Sequence, residues 1–283
     1  MALIGWIAGG AASYLGLALV MTYGVHRIPR RPVHEPPDWG RVTDTRIPAA
    51  GGGSLEVWRV EPDGPSRGTV LLAHGWSRNR DRMVGRARLF GSLGYTTLLH
   101  SARDHGGSSP YRFMNAFRFA EDIESVMAWA DEPVILYGHS AGAAGAIIAA
   151  HRNPESVRLL FLEGCYERTR KALVRLYGLH IPVVGKAFAP AVVTWMNLFY
   201  LGGMDRVDPV RLAPDLDLPV LLIQGERDAA FPLSCVRELR DAFPAGRAEL
   251  FVARGSDHSG SSLTPDYPVA VRAFLERHEG GDR

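Results

Sequence analysis

The stretch that most constrains what this chain can fold into is Pro133-Val134-Ile135-Leu136-Tyr137-Gly138-His139-Ser140-Ala141-Gly142, where a short apolar, β-branched run meets a serine between two glycines. The run reads as a buried strand. Residues 141–151, rich in alanine and carrying Ile147 and Ile148, read as a helix ended by Asn153-Pro154. A strand that passes into a helix within one or two residues must turn sharply. Glycine on both sides relieves the crowding, while Ser140 is held strained with its hydroxyl exposed. Glycines beside a serine can also form an ordinary turn, so it is the order strand, turn, helix that carries the reading.

The remaining pattern agrees with that unit. Residues 42–48 and 54–60 alternate around Gly51-Gly52-Gly53 and suggest a starting hairpin. From Pro65 onward, strands at 69–73, 95–99, 134–137 and 157–162 alternate with helices at 81–93, 117–130 and 141–151. The rhythm resumes with strand 218–223, helix 233–242, strand 248–252 and helix 267–278. This alternation predicts an α/β fold: a mostly parallel central sheet with helices on both faces. At 283 residues and 46% hydrophobic, the chain can build one substantial core. Residues 165–214 interrupt the rhythm with two helical stretches, 171–179 and 191–201, and no strand, which predicts an insertion.

A serine hydroxyl is a weak nucleophile until a histidine takes its proton, and a carboxylate keeps that histidine in the working tautomer. Leu221-Leu222-Ile223-Gln224-Gly225-Glu226-Arg227-Asp228 supplies an acid just after a strand, and Phe251-Val252-Ala253-Arg254-Gly255-Ser256-Asp257-His258 supplies a histidine in the same position. Both fall at carboxyl ends of strands, where open α/β sheets place their ligands. Ser140, Asp228 and His258 are therefore the candidate catalytic residues, with Glu226 and Asp257 read as surface charges. Among the other histidines, His139 is expected to point away from Ser140, and His151 and His278 to end helices. His100, His105 and His180 belong to no paired motif. An oxyanion needs donors already in place. The N–H groups of Ala141 and Trp76 are the candidates, the latter from Ala73-His74-Gly75-Trp76, which could otherwise be a plain turn.

Residues 1–26 differ from the rest. Ala2 to Val25 carry no charge and are followed by His26-Arg27-Ile28-Pro29-Arg30-Arg31. That length spans a bilayer, and no basic stretch precedes it as in a cleaved leader, so an uncleaved membrane anchor is expected, against the alternative of a buried helix. Arg27, Arg30 and Arg31 orient the following domain to the cytoplasm. Residues 27–41 read as a Pro- and Arg-rich linker, and 42–283 as the catalytic domain. The insertion at 165–214 is expected to form a lid over Ser140, with Val192, Trp195, Met196 and Phe199 lining an apolar substrate pocket. Pro182, Lys186 and Pro190 should break the apolar run 181–201 below spanning length. The basic residues Arg168, Arg170, Lys171 and Arg175 read first as a solvated face and second as a membrane-surface contact. The net charge of +2 with scattered arginines gives no support to nucleic-acid binding. Cys165 and Cys235 read as buried thiols, with one disulfide as the alternative. Metal-ligand spacing is lacking, and neither metal nor cofactor is expected.

Taken together, His74-Gly75-Trp76, Arg103-Asp104-His105-Gly106-Gly107-Ser108, Gly138-His139-Ser140-Ala141-Gly142, Gly225-Glu226-Arg227-Asp228 and Gly255-Ser256-Asp257-His258 resemble the motifs of serine α/β-hydrolases over about residues 42–276. The similarity is nearest to the membrane-anchored BEM46-like and related lid-bearing esterase-like members. One departure is Asp104, where the family pattern Arg-Gly-x-Gly-x-Ser has glycine. The resemblance implies hydrolysis of a small acyl ester or lipid-like substrate through an acyl-enzyme. A thioesterase, acyltransferase or peptidase could use the same triad, and a non-catalytic membrane scaffold is the alternative from another class.

Overall fold

The computed structural model describes residues 1–34, 36–200 and 202–279. The chain opens with helix α1 (Ala2–Val25) and then forms the hairpin β1 (Arg41–Pro48) and β2 (Ser54–Glu61), closed by three glycines at positive φ, Gly51, Gly52 and Gly53. β3 (Thr69–Ala73), α2 (Val84–Ser92), β4 (Thr96–His100), α3 (Ala116–Ala130), β5 (Val134–His139), α4 (Ala141–Arg152) and β6 (Val157–Glu163) follow in alternation. The insertion holds α5 (Thr169–His180), α6 (Pro182–Phe199) and the single turn α7 (Pro209–Leu212). β7 (Val220–Gly225), α8 (Leu233–Ala242), β8 (Ala248–Ala253) and α9 (Asp266–Glu279) complete the fold.

All eight strands form one sheet in the order β1-β2-β4-β3-β5-β6-β7-β8. β1 and β2 pair antiparallel, as do β2 and β4, and every other pair is parallel. β3, β4, β5 and β7 are buried along their whole length, because helices cover both faces of the sheet. On one face, Leu71, Leu136, Leu160 and Leu222 pack with Ile123, Ile147 and Leu239 of α3, α4 and α8. On the other, Leu72, Ile135, Phe161 and Ile223 pack with Phe90 of α2 and Phe274 of α9. The carboxyl ends of β3, β5, β6, β7 and β8 consequently lie along one edge, and the loops that leave them share a surface.

Two local expectations need correction. α2 is preceded by a tighter 3-10 turn over Arg80–Met83, started by Asn79, whose side chain accepts from the N–H of Asp81. Pro190 does not end the apolar helix: α6 runs through it for 18 residues. Pro182 occupies the first turn, where no N–H is needed. At Pro190 the lost bond is tolerated because Ala189, Ala191, Val192 and Val193 are buried against neighbouring helices. Residues 27–34 and 36–40, read as a linker, are fastened to the domain. The Asn79 amide donates to the carbonyls of Arg31 and Pro32, Asp81 accepts from the N–H of His34, and Arg88 covers the ring of Trp39.

α1 has no charged residue and is long enough to cross a bilayer. One face of its second half packs on α6. Tyr14 stacks on Phe188 with ring centroids 4.8 Å apart and donates to the carbonyl of Ala187, while Ala18 and Thr22 are buried. Ile4, Trp6, Ile7, Leu17 and Val20 are exposed. Cys165 and Cys235 are free and buried.

Candidate active site

Where β5 passes into α4, Ser140 sits at φ 55° and ψ −117°, a conformation that a residue with a side chain adopts only when its surroundings impose it. The flanking glycines do so. A Cβ at Gly138 would stand 2.5 Å from the Cα of Ala143, and one at Gly142 would stand 2.4 Å from the carbonyl oxygen of Ala73. The backbone of the turn is therefore wedged between β3 and its own helix. The Ser140 N–H donates to the carbonyl of Glu163 at 2.8 Å and ties the turn to β6.

Ser140, Asp228 and His258 come together. The Ser140 hydroxyl lies 3.0 Å from Nε2 of His258, whose Nδ1–H donates to Oδ2 of Asp228 at 2.7 Å. Asp228 is completely buried at its side chain. Its Oδ1 accepts from the N–H groups of Ala230 and Phe231, and its Oδ2 also accepts from the Gln224 amide. Burial pushes this carboxyl up, but the bonds from His258, Phe231 and Gln224 outweigh it and hold it below the ordinary aspartate range. Asp228 thus stays ionised and aimed at His258.

The loop bearing His258 is fastened on several sides, and the sequence reading missed most of the fasteners. The ring of His139 donates from Nε2 to the carbonyl of His258 at 3.1 Å, and Arg82 donates to the carbonyl of Ser259 at 2.9 Å. Asp257, read as a surface charge, accepts from the N–H groups of Ser259 and Gly260. Glu226, read likewise, accepts from the N–H of Gly255. Both are exposed, but both shape the turn. Below the elbow lies a buried ion pair, Arg86 on Glu163 at 2.5 and 2.6 Å, joined by the hydroxyl of Tyr137. Burial alone would raise the Glu163 carboxyl; Arg86 overrides it and brings it down to about 2.

The Trp76 and Ala141 N–H groups have no protein acceptor among the described residues. Ala141 opens α4, whose first N–H lacks an intrahelical partner. The Trp76 loop is laced to the loop after β4 by two histidines. His74 accepts from the N–H of Ala102 at 3.0 Å, and His105 accepts from the N–H of Ser77 at 3.1 Å. Burial drives both imidazoles down, His105 to about 4, so each is neutral and able to accept. His105, set aside in the sequence for want of a motif, therefore holds the residue next to Trp76. Asp104, where the family pattern has glycine, adopts a left-handed conformation at φ 62°. Aspartate is among the few residues that tolerate it.

The expected pocket residues are placed differently. Val192 and Met196 are buried among Ala18, Met204 and their neighbours, and Trp195 donates its indole N–H to the carbonyl of Leu15. Val192 and Trp195 meet α1, and Met196 takes the hydroxyl of Tyr177 on α5. The spacing of apolar residues marks one face of α6 but not which neighbour it meets, and α1 takes that face. Phe199 alone turns toward the site's surroundings. Its ring lies 4.9 Å from Phe113 and 6.4 Å from His26, and His26 is 6.2 Å from Trp76.

Comparison with known proteins agrees with the fold. A family model described as serine aminopeptidase, S33 matches residues 64–199, and one described as TAP-like protein matches residues 194–279. The chain is 27% identical over 202 residues to a pimeloyl-[acyl-carrier protein] methyl ester esterase of Neisseria meningitidis, covering 58% of this chain and 76% of the relative. In structure it is similar to the Pyrococcus furiosus esterase Pf2001, with a TM-score of 0.71 at 19% identity, covering 88% of this chain and 98% of that one. It is also similar to a bacterial membrane phospholipase A, with a TM-score of 0.64 at 17% identity, covering 99% and 97%. These matches carry the superfamily and no finer branch. With a strand, elbow and helix at the centre of an eight-stranded sheet of this order, the chain belongs to the serine α/β-hydrolases.

Proposed function

We propose that the protein hydrolyses carboxylic esters through an acyl-enzyme on Ser140. One observation carries this reading: an unbroken run of hydrogen bonds from Ser140 through His258 to Asp228, beside two N–H groups without acceptors. The Ser140 oxygen attacks the ester carbonyl carbon while its proton passes to Nε2 of His258. Asp228 stabilises the resulting imidazolium. The carbonyl oxygen, now negative, takes hydrogen bonds from Ala141 and Trp76. Collapse breaks the bond to the alcohol, which leaves with the proton from His258. Water then repeats the sequence on the acyl-enzyme, and the acid departs.

The substrate class is an acyl ester or lipid-like ester. Support comes from the esterase activity named for the Neisseria relative and from the phospholipase activity named for one structural neighbour. α1 is the anchor, with an uncharged span of 22 residues and an exposed face, and Arg27, Arg30 and Arg31 favour a cytoplasmic domain. The insertion at 165–214 acts as a cap beside the site, with Phe199 and Phe113 at its margin. A panel of p-nitrophenyl esters and acyl thioesters of graded chain length, run on wild type and Ser140→Ala, tests the reading. Turnover of esters by wild type alone is expected. Turnover of thioesters only would move the protein to a thioesterase, and ester turnover surviving Ser140→Ala would remove the mechanism.

A further inference from the structure

We infer that the tip of the α5–α6 hairpin inserts into the same bilayer as α1, so that cap and anchor enter the membrane as one body. The inference rests on α1 entering the bilayer. α1 and α6 run parallel: Tyr14 meets Phe188, Thr22 meets the carbonyl of Val192, and His26 meets Phe199. Every described side chain of α1 before Tyr14 is exposed, and at 1.5 Å per residue its 12 positions are about 18 Å long. The hydrocarbon layer is about 30 Å thick. A spanning α1 must therefore keep about 12 Å of its apolar length beside α6.

This pairing then fixes what else lies at that depth. The offsets of these pairs, 170 to 174 residues, place Pro182, the start of α6, level with residues 8–12 of α1. The tip there is apolar and unpartnered: Leu179, Ile181, Val183 and Val184 are 48, 41, 83 and 46% exposed. Between Arg168 and Met204 the chain has no carboxylate. Its cations sort by height. Arg168, Arg170, Lys171 and Arg175 stand toward the far end of α5 and pair with Glu238, Asp205 and Glu167 of the domain. Only His180 and Lys186 lie near the tip, and a lysine there can extend its amine to the headgroups. A water-facing hairpin would leave four aliphatic side chains exposed beside an apolar helix, whereas a bilayer covers both. The occupant is lipid hydrocarbon, reached from the leaflet nearest the domain.

The test uses the full-length protein in phosphatidylcholine–phosphatidylglycerol vesicles. A cysteine is placed singly at Val183, at Ile7 of α1 or at exposed Arg237 of α8, and labelled with an environment-sensitive fluorophore; unlabelled-site controls account for buried Cys165 and Cys235. The Val183→Cys label is expected to be quenched at least threefold more by doxyl groups on lipid tails than by aqueous iodide, as at Ile7, with the reverse at Arg237. Quenching by tails at Ile7 but by iodide at Val183 overturns the insertion and leaves the anchor standing. Iodide quenching at both positions overturns the anchor and the insertion together. Shielding of Val183 from both quenchers means that protein covers the tip, which also overturns it. As a second readout, Val183→Asp with Val184→Asp should lower turnover of a vesicle-borne ester at least tenfold while leaving a water-soluble ester unchanged. Equal turnover of both substrates counts against the inference.

Discussion

Ser140 shows how much the neighbours of one residue decide. Its left-handed backbone costs on the order of 1–3 kcal/mol and persists because Gly138 and Gly142 lie against backbone that cannot move. Asp104 is the informative comparison. It holds φ 62° at a position where glycine would be free of strain, so Asp104→Gly should leave stability within about 1 kcal/mol, while β-branched Asp104→Val should lose about 1–2 kcal/mol. Urea unfolding of the three proteins measures it. Glu163 gives a prediction in pH. Its folded carboxyl, at about 2, lies below the ordinary value of 4.5, so its contribution is complete above pH 4.5 and is lost as pH falls toward 2. Removing the charge and leaving Arg86 buried alone, as in Glu163→Gln, should cost about 3–5 kcal/mol near neutrality, with a shallower acid limb. What was legible from sequence was the meeting of side chains at strand ends: that Ser140, Asp228 and His258 come together could be expected from their order alone. His139, His105 and Arg82 could not, because each acts on the backbone of a loop distant in sequence, and no local pattern records that contact.

At the scale of elements, the parallel strands were readable because burial on both faces demands unbroken apolar runs, and β3 matches its expected bounds. α6 was not readable in full. Proline carries a strong local penalty, and only packing against α1 and α5 explains a helix that continues through Pro190. The same contact reassigns Trp195. Because its indole binds the carbonyl of Leu15, Trp195→Ala should loosen α1 from α6 and change kcat/KM by the same factor for acetate and octanoate esters. A loss that grows with chain length, by about 0.8 kcal/mol per methylene, would return this side chain to a substrate pocket. Phe199→Ala is the contrasting variant, since that ring stands beside Phe113 at the margin of the site; its loss should be the larger for octanoate.

For the molecule as a whole, a rigid sheet edge supplies the triad, and the apolar helices α1 and α6 stand against the loops around it. His26, directly after α1, packs near Trp76, so α1 ends beside a proposed oxyanion donor. Residues 27–34 and 36–40 are strapped to the domain rather than free, and the domain is therefore held close to whatever surface α1 enters. The account depends most on Ser140 being the nucleophile. Reaction of the folded protein with a fluorophosphonate, followed by intact mass and peptide mapping, tests this without knowledge of the substrate. One phosphonyl adduct on Ser140 is expected in wild type, none in Ser140→Ala, and labelling slowed by on the order of 10^3 or more in His258→Ala, because the triad acts as a unit. An adduct on another serine, or folded wild type that stays unlabelled, would contradict it.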